Sequence, residues 1–293
     1  MRWFEILKDT GAAFMADKAM RLSAALAYYS IFSLAPLLMV AISIAGTIFG
    51  DKAARGAVKE ELTGAIGADA AATVQEMIVG VNSGGKNGIM ALVGFGILLL
   101  SASGVFAQLK DAMNTVWNIH PKPGRGILSL VWDRLLSLTM VLVIGFLLLI
   151  SLLLSAVVSA AVTWLGELLP VHPFILVGVN ASVSLVVVTL LFAMIFKILP
   201  DADIRWRDVW EGAFLTACLF GVGKFLLAIY LARQGGNSAY GAAGALILVL
   251  TWVHYSANIL LFGAEFTQVL ATRRGRWIQP TEAGEWNADR PGK

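Results

Sequence analysis

The stretch YGAAGALILVLTWVHYSANILLFGAEFTQVL, residues 240–270, decides the class of this chain. About 20 apolar residues in helical conformation cross the hydrocarbon core of a bilayer. This run exceeds that length and holds no proline. It also carries more than a plain anchor needs. Gly241, Gly244 and Gly263 are small positions at which a neighbouring helix can approach closely. Trp252, His254, Tyr255 and Asn258 place polar groups within the run, and Glu265 lies near its end, ahead of Arg273, Arg274 and Arg276.

The remainder of the chain has the same character. Of 293 residues, 58% are hydrophobic and 14% charged, against about 25% charged in a soluble domain. This composition reads as an all-α polytopic membrane protein. One cysteine, Cys218, excludes a disulfide framework and a cysteine-based zinc site.

Residues 1–22 repeat Trp3, Ile6, Leu7, Thr10 and Phe14 at helical spacing between charged residues, and read as an amphipathic helix lying in the membrane interface. Residues 23–271 read as a six-span domain. The first span is expected at 24–49, with Pro36 as a hinge, because proline removes a backbone bond within a helix. Residues 51–87 form a small extracytoplasmic segment with one short helix around Val74, Met77, Ile78 and Val81. The later spans are expected at 88–107 (with a polar extension to residue 118), 135–165, 174–199, 209–232 and 240–270. The tail, 272–293, reads as disordered.

Charge orients the bundle. Sixteen of the 22 Lys and Arg residues fall on segments sharing a side with the two termini, five fall on the other side, and Lys224 lies within a span. The positive-inside rule then places both termini in the cytoplasm.

Lys224, in GVGKFLLAIY, is the sharpest candidate for function. A cation within a span is expensive and generally faces the bundle or a watery cavity. Helix rise puts Asn180, Ser43 and Ser155 at a similar depth, so the four together form a candidate layer for an anionic head group. The competing reading is that Lys224 snorkels to the surface. Glu265 reads as an ion-pair partner of Lys197, Arg205 or the Arg273 cluster, and Glu211 as a carboxylate favoured at a helix N-terminus. His254 and Asn258, four apart, share one helix face. They read as a helix–helix hydrogen bond before a proton relay. No phosphate loop, nucleophile elbow or metalloprotease motif is present. The reading is therefore no enzyme, no catalytic residues, no metal, no cofactor and no nucleic-acid partner, with membrane lipids as the natural partners.

Three segments carry a resemblance: ALAYYSIFSLAPLLMV (25–40), LLLSASGVFAQLKDAMNTVWNI (98–119) and residues 240–269 of the opening stretch. In order and spacing they resemble the YihY/BrkB family of bacterial inner-membrane proteins across about residues 5–275. The resemblance implies a six-helix bundle in the inner membrane with cytoplasmic termini, and a role in the envelope or in moving lipid-linked material. An old ribonuclease label attached to some members finds no acid–base or metal cluster in these residues. The reading that results is a transporter or flippase of an anionic, lipid-like amphiphile without an ATPase of its own. The alternative is a membrane scaffold or envelope-integrity protein acting through partners on 51–87. Oligomeric state is left open.

Overall fold

A computed structural model describes residues 3–66, 71–72, 75–76, 104–122, 139, 173–234 and 241–287. The first helix, α1 (Trp3–Ala16), ends at a two-residue turn, and α2 (Ala19–Phe49) begins directly after it. Lys18 makes this break by adopting a left-handed backbone, φ 55°. Its carbonyl accepts from the amides of Arg21 and Leu22 and so starts α2. The N-terminal helix is thus shorter than the expected 1–22, because the positive φ at residue 18 ends it early. The segment 19–23 belongs to the long helix instead.

α2 runs for 31 residues, about 46 Å at the α-helical rise. It passes through Pro36 without ending. Gly50, at φ 86°, closes it, with its N–H donated to Gly46 O at 3.0 Å. α3 (Asp51–Ile66) follows at once. The helix expected at 74–81 lies mostly outside the described residues, whereas 51–66 is helical. Its DKAARGAVKEEL opening is rich in Ala, Lys, Glu and Arg, all strong helix formers. Propensity, rather than apolar spacing, carries the signal there.

α4 (104–116) is the polar extension expected after the second span. Most of the residues expected to form the second and third spans lie outside the described residues. α5 (Pro173–Ile198) opens with proline at a position where a missing N–H costs nothing. It leads through residues 199–205 to α6 (Trp206–Gln234), and α7 (Gly241–Arg273) completes the bundle. Among the described residues, three helices are long and apolar enough to cross a membrane: Ala181–Ile198 in α5, Trp206–Leu227 in α6 and Ile247–Arg273 in α7.

α7 is the hub. It packs against α1, α2 and α6, and α6 packs in turn against α5. The α6–α7 crossing is reciprocal. Gly212 of α6 lies under Thr267 of α7, and Gly263 of α7 lies under Thr216 of α6. Each threonine hydroxyl donates to the glycine carbonyl one turn earlier in its own helix, at 2.7 Å for Thr216 and 2.8 Å for Thr267. Both hydroxyls are therefore satisfied without separating the helices. Further along, Gly223 admits the Tyr255 ring. Aromatic contacts run Phe192–Phe220–Trp252–Tyr255 across α5, α6 and α7.

The chain after α7 is ordered through residue 287. Gly275, at φ 68°, donates to Thr272 O, and Arg276 N–H donates to Ala271 O, a Schellman stop that turns the chain back. Two antiparallel ladders follow. β1 (Ile119–Pro121) pairs with β4 (Gly284–Trp286), and β2 (Ala202–Asp203) pairs with β3 (Gln279–Pro280). The expectation of a disordered tail is corrected for residues 274–287. Ile278 is buried there. Gly284 sits so close that a Cβ would stand 2.8 Å from Ile119 Cγ2 and 3.0 Å from Asp201 O. Polar composition hid a strap held by backbone pairing.

Candidate functional site

Among the described residues, the candidate polar side chains fall in two regions. The first is the end of the bundle where α6 begins and α7 ends. Asp201 follows α5 and is buried, as is Lys110 of α4; the two meet at 3.0 Å. Asn114, one turn from Lys110, donates from Nδ2 to Asp201 Oδ2 at 3.1 Å and accepts the Asp201 amide on Oδ1 at 2.9 Å. Thr281 of the strap donates its N–H to Asp201 O. A buried ion pair survives when hydrogen bonds satisfy its remaining lone pairs, and Asn114 supplies them here. Trp117, fully buried, donates Nε1–H to Ala264 O of α7 at 3.0 Å, tying α4 to the hub.

Beside this pair lies an arginine–carboxylate network. Arg274 donates to Asp208 Oδ1 at 2.8 Å and to Glu211 Oε2 at 2.7 Å, while Arg276 reaches both Asp208 oxygens at 3.1 Å. Asp208 is almost wholly buried in the first turn of α6, where the helix dipole also favours a carboxylate. The Glu211 hydrogen bond is the main reason the Arg274 guanidinium is held above its ordinary range, with Asp208 adding to it against desolvation. Arg273 turns the other way, to Asp9 and Glu5 of α1.

The second place lies within the spans. Lys224 is exposed on α6, flanked by the exposed apolar residues Val222, Phe225 and Leu226. Asn180 lies on α5 and Ser43 on α2, but their side chains are not among those described, and Ser155 lies outside the described residues altogether. The same holds for the side chain of Pro36. His254 and Asn258 do share a face. Their contact stays within α7: Asn258 Nδ2 lies 2.8 Å from His254 O and 3.1 Å from His254 Nε2. Among the described residues, this i,i+4 contact stands in place of the expected bond between helices.

Glu265 is fully buried, next to the Ala264 carbonyl that receives Trp117. Two of the partners expected for it are engaged elsewhere: Lys197 bonds Asp203 and Ile204 O, and Arg273 bonds Asp9. Glu211 has an arginine partner, Arg274. Sequence reasoning missed Lys110, Asn114, Asp201 and Asp208. A Lys and an Asn four apart on a polar helix share one face, but their partner lies 87 residues away. Among the described residues, no group of three His, Cys, Asp or Glu side chains is placed to hold a metal ion.

The family model described as Virulence factor BrkB matches residues 10–286. The chain belongs to this BrkB virulence factor family. Among curated BrkB-type relatives, a UPF0761 membrane protein of Verminephrobacter eiseniae is 27% identical over 92% of this chain and 62% of its own length. A second, from Mannheimia succiniciproducens, is 26% identical over 89% of this chain and 88% of its own length. A third, from Rhodospirillum centenum, is 27% identical over 97% of this chain and 62% of its own. This chain thus spans about three-fifths of the length of several such relatives. No solved structure matches it. Together with the spanning helices, membership makes the protein an integral membrane protein.

Proposed function

We propose that this protein binds and translocates an anionic, lipid-like amphiphile across a bacterial inner membrane, with both termini in the cytoplasm and no enzymatic step of its own. The observation that carries the reading is Lys224. It is an exposed cation on a spanning helix, set among exposed Val222, Phe225 and Leu226. A cation in such a position costs several kcal/mol on insertion (about 2.5–3.5 at a span's centre). An anionic head group offsets that cost while its chains stay in the hydrocarbon. In this reading Asn180, Ser43 and Ser155 complete a polar layer at the same depth, and Pro36 supplies a hinge.

The neighbouring geometry supports a fixed position for the cation. Gly223, the preceding residue, is locked against Tyr255 of α7. The rotation of α6 is therefore set, and Lys224 projects about 100° around the helix from that contact.

The experiment is lipid translocation in proteoliposomes. A fluorescent anionic phospholipid in the inner leaflet becomes accessible to an impermeant quencher only after it has crossed. The wild-type protein is expected to speed this crossing over protein-free vesicles, and Lys224→Met to abolish the gain while keeping its melting temperature. Equal rates in wild-type and empty vesicles, or in wild type and Lys224→Met, would sink the proposal.

A further inference from the structure

An open groove of about 300 Å³ lies where α1, the start of α2, α6 and α7 meet. Phe14, Met20, Leu219, Ile259 and Phe262 line it, with Asn258 as its polar member. The edge-to-face contact of Phe14 with Phe262, centroids 6.0 Å apart, joins α1 to α7 there.

Asn258, Ile259 and Phe262 lie in the C-terminal half of α7 and Leu219 in the first half of α6, so the groove belongs to the half of the bundle where α6 begins and α7 ends. α1 lies in the same half, its Asp9 bonded to Arg273. Its Trp3, Phe4, Leu7 and Met15 are large apolar side chains left exposed, as on a helix lying flat in a membrane interface.

Charge then selects the occupant. Lys18 and Arg21 flank Met20 in sequence, at the turn from α1 to α2. Both are exposed, and neither forms an ion pair among the described residues. Of the acids nearest along the chain, Asp17 is buried and has an interaction of its own, and Asp9 is bonded to Arg273. An apolar groove whose lining residue Met20 is flanked in sequence by two exposed cations matches a molecule with an acyl chain and a phosphate.

We propose that the groove holds an acyl chain of an anionic phospholipid from the leaflet on that side, with the lipid phosphate bound between Lys18 and Arg21. The site is distinct from Lys224 and requires no translocation.

Native mass spectrometry of the full-length protein, titrated with dioleoyl phosphatidylglycerol or dioleoyl phosphatidylcholine, tests it. Wild type is expected to hold the anionic lipid about thirtyfold more tightly, as a pair of cationic contacts implies. The double variant Lys18→Gln, Arg21→Gln removes that preference and leaves phosphatidylcholine binding unchanged. Met20→Trp, which fills the groove, lowers retention of both lipids. Arg205→Gln, Arg207→Gln, the same charge change at the start of α6, leaves the preference intact. A phosphatidylglycerol carrying a photoactivatable acyl chain labels peptides containing residues 14–20 and 258–262. Equal affinity for the two lipids in wild type, a preference that survives the Lys18/Arg21 change or disappears in the Arg205/Arg207 control, or labelling confined to other peptides would each overturn the proposal. So would a protein dimer that dissociates on Met20→Trp, since a second copy would then be the occupant.

Discussion

Replacing Gly263 by alanine adds one methyl group at the tightest point of the α6–α7 crossing. That Cβ would stand 1.8 Å from Thr216 Oγ1, 3.0 Å from Thr216 Cβ and 3.3 Å from Phe196 Cζ. Thr216 is itself fully buried, and its hydroxyl is bonded to Gly212 O. Either the hydroxyl swings away and loses that bond, at about 1 kcal/mol, or the helices separate. Overpacking of this kind costs about 1–3 kcal/mol. The better helix propensity of alanine returns up to about 1 kcal/mol. Taking the middle of the overpacking range, the net expectation is a loss of about 1–2 kcal/mol, read as a melting temperature in detergent several degrees below wild type by tryptophan fluorescence. Thr216→Ala in the same chain removes the 1.8 Å clash and is expected to restore part of the loss. Gly11→Ala is the control: nothing lies within 4 Å of its added Cβ, so propensity alone acts and stability holds or rises. A Gly263→Ala protein that melts at or above the wild-type temperature would refute the reasoning.

Asp201→Ala strands Lys110 in the interior and frees Asn114. A broken buried pair costs about 3–5 kcal/mol, so thermal melting should fall much further than for Lys197→Ala, which loosens only the more exposed pair to Asp203; equal effects would argue against a buried pair. A chain ending at Arg276 loses β3 and β4, and hydrogen exchange should quicken at Lys122, whose amide is bonded to Ala283 O; unchanged exchange at Lys122 would mean the strap does not close this end. In a Cys218→Ser background, cysteines at Ser83 and Asn237 should react with an impermeant thiol reagent added to intact cells, and one at Thr281 should not. Labelling at Thr281 would overturn the proposed orientation.

The spanning helices could be read from composition and length alone. An uninterrupted apolar run has few other stable arrangements in a bilayer, where the backbone must bond to itself. The runs read as spans four, five and six therefore return as α5, α6 and α7, and even the polar extension at 108–118 is helical through residue 116. The facing of His254 and Asn258 was equally local, because an i,i+4 relation is a property of any helix. What tertiary structure decided depends on partners far apart in sequence. Lys110 meets Asp201, Trp117 meets Ala264, and Arg273 meets Asp9 across more than 260 residues. The strap is the plainest case. Residues 274–287 have the polar composition of a loose tail, yet backbone pairing with 119–121 and 202–203 orders them, and backbone bonds leave no mark in side-chain composition. Likewise Lys18, one charge among several in an amphipathic segment, could be seen to end α1 only once its left-handed φ was known.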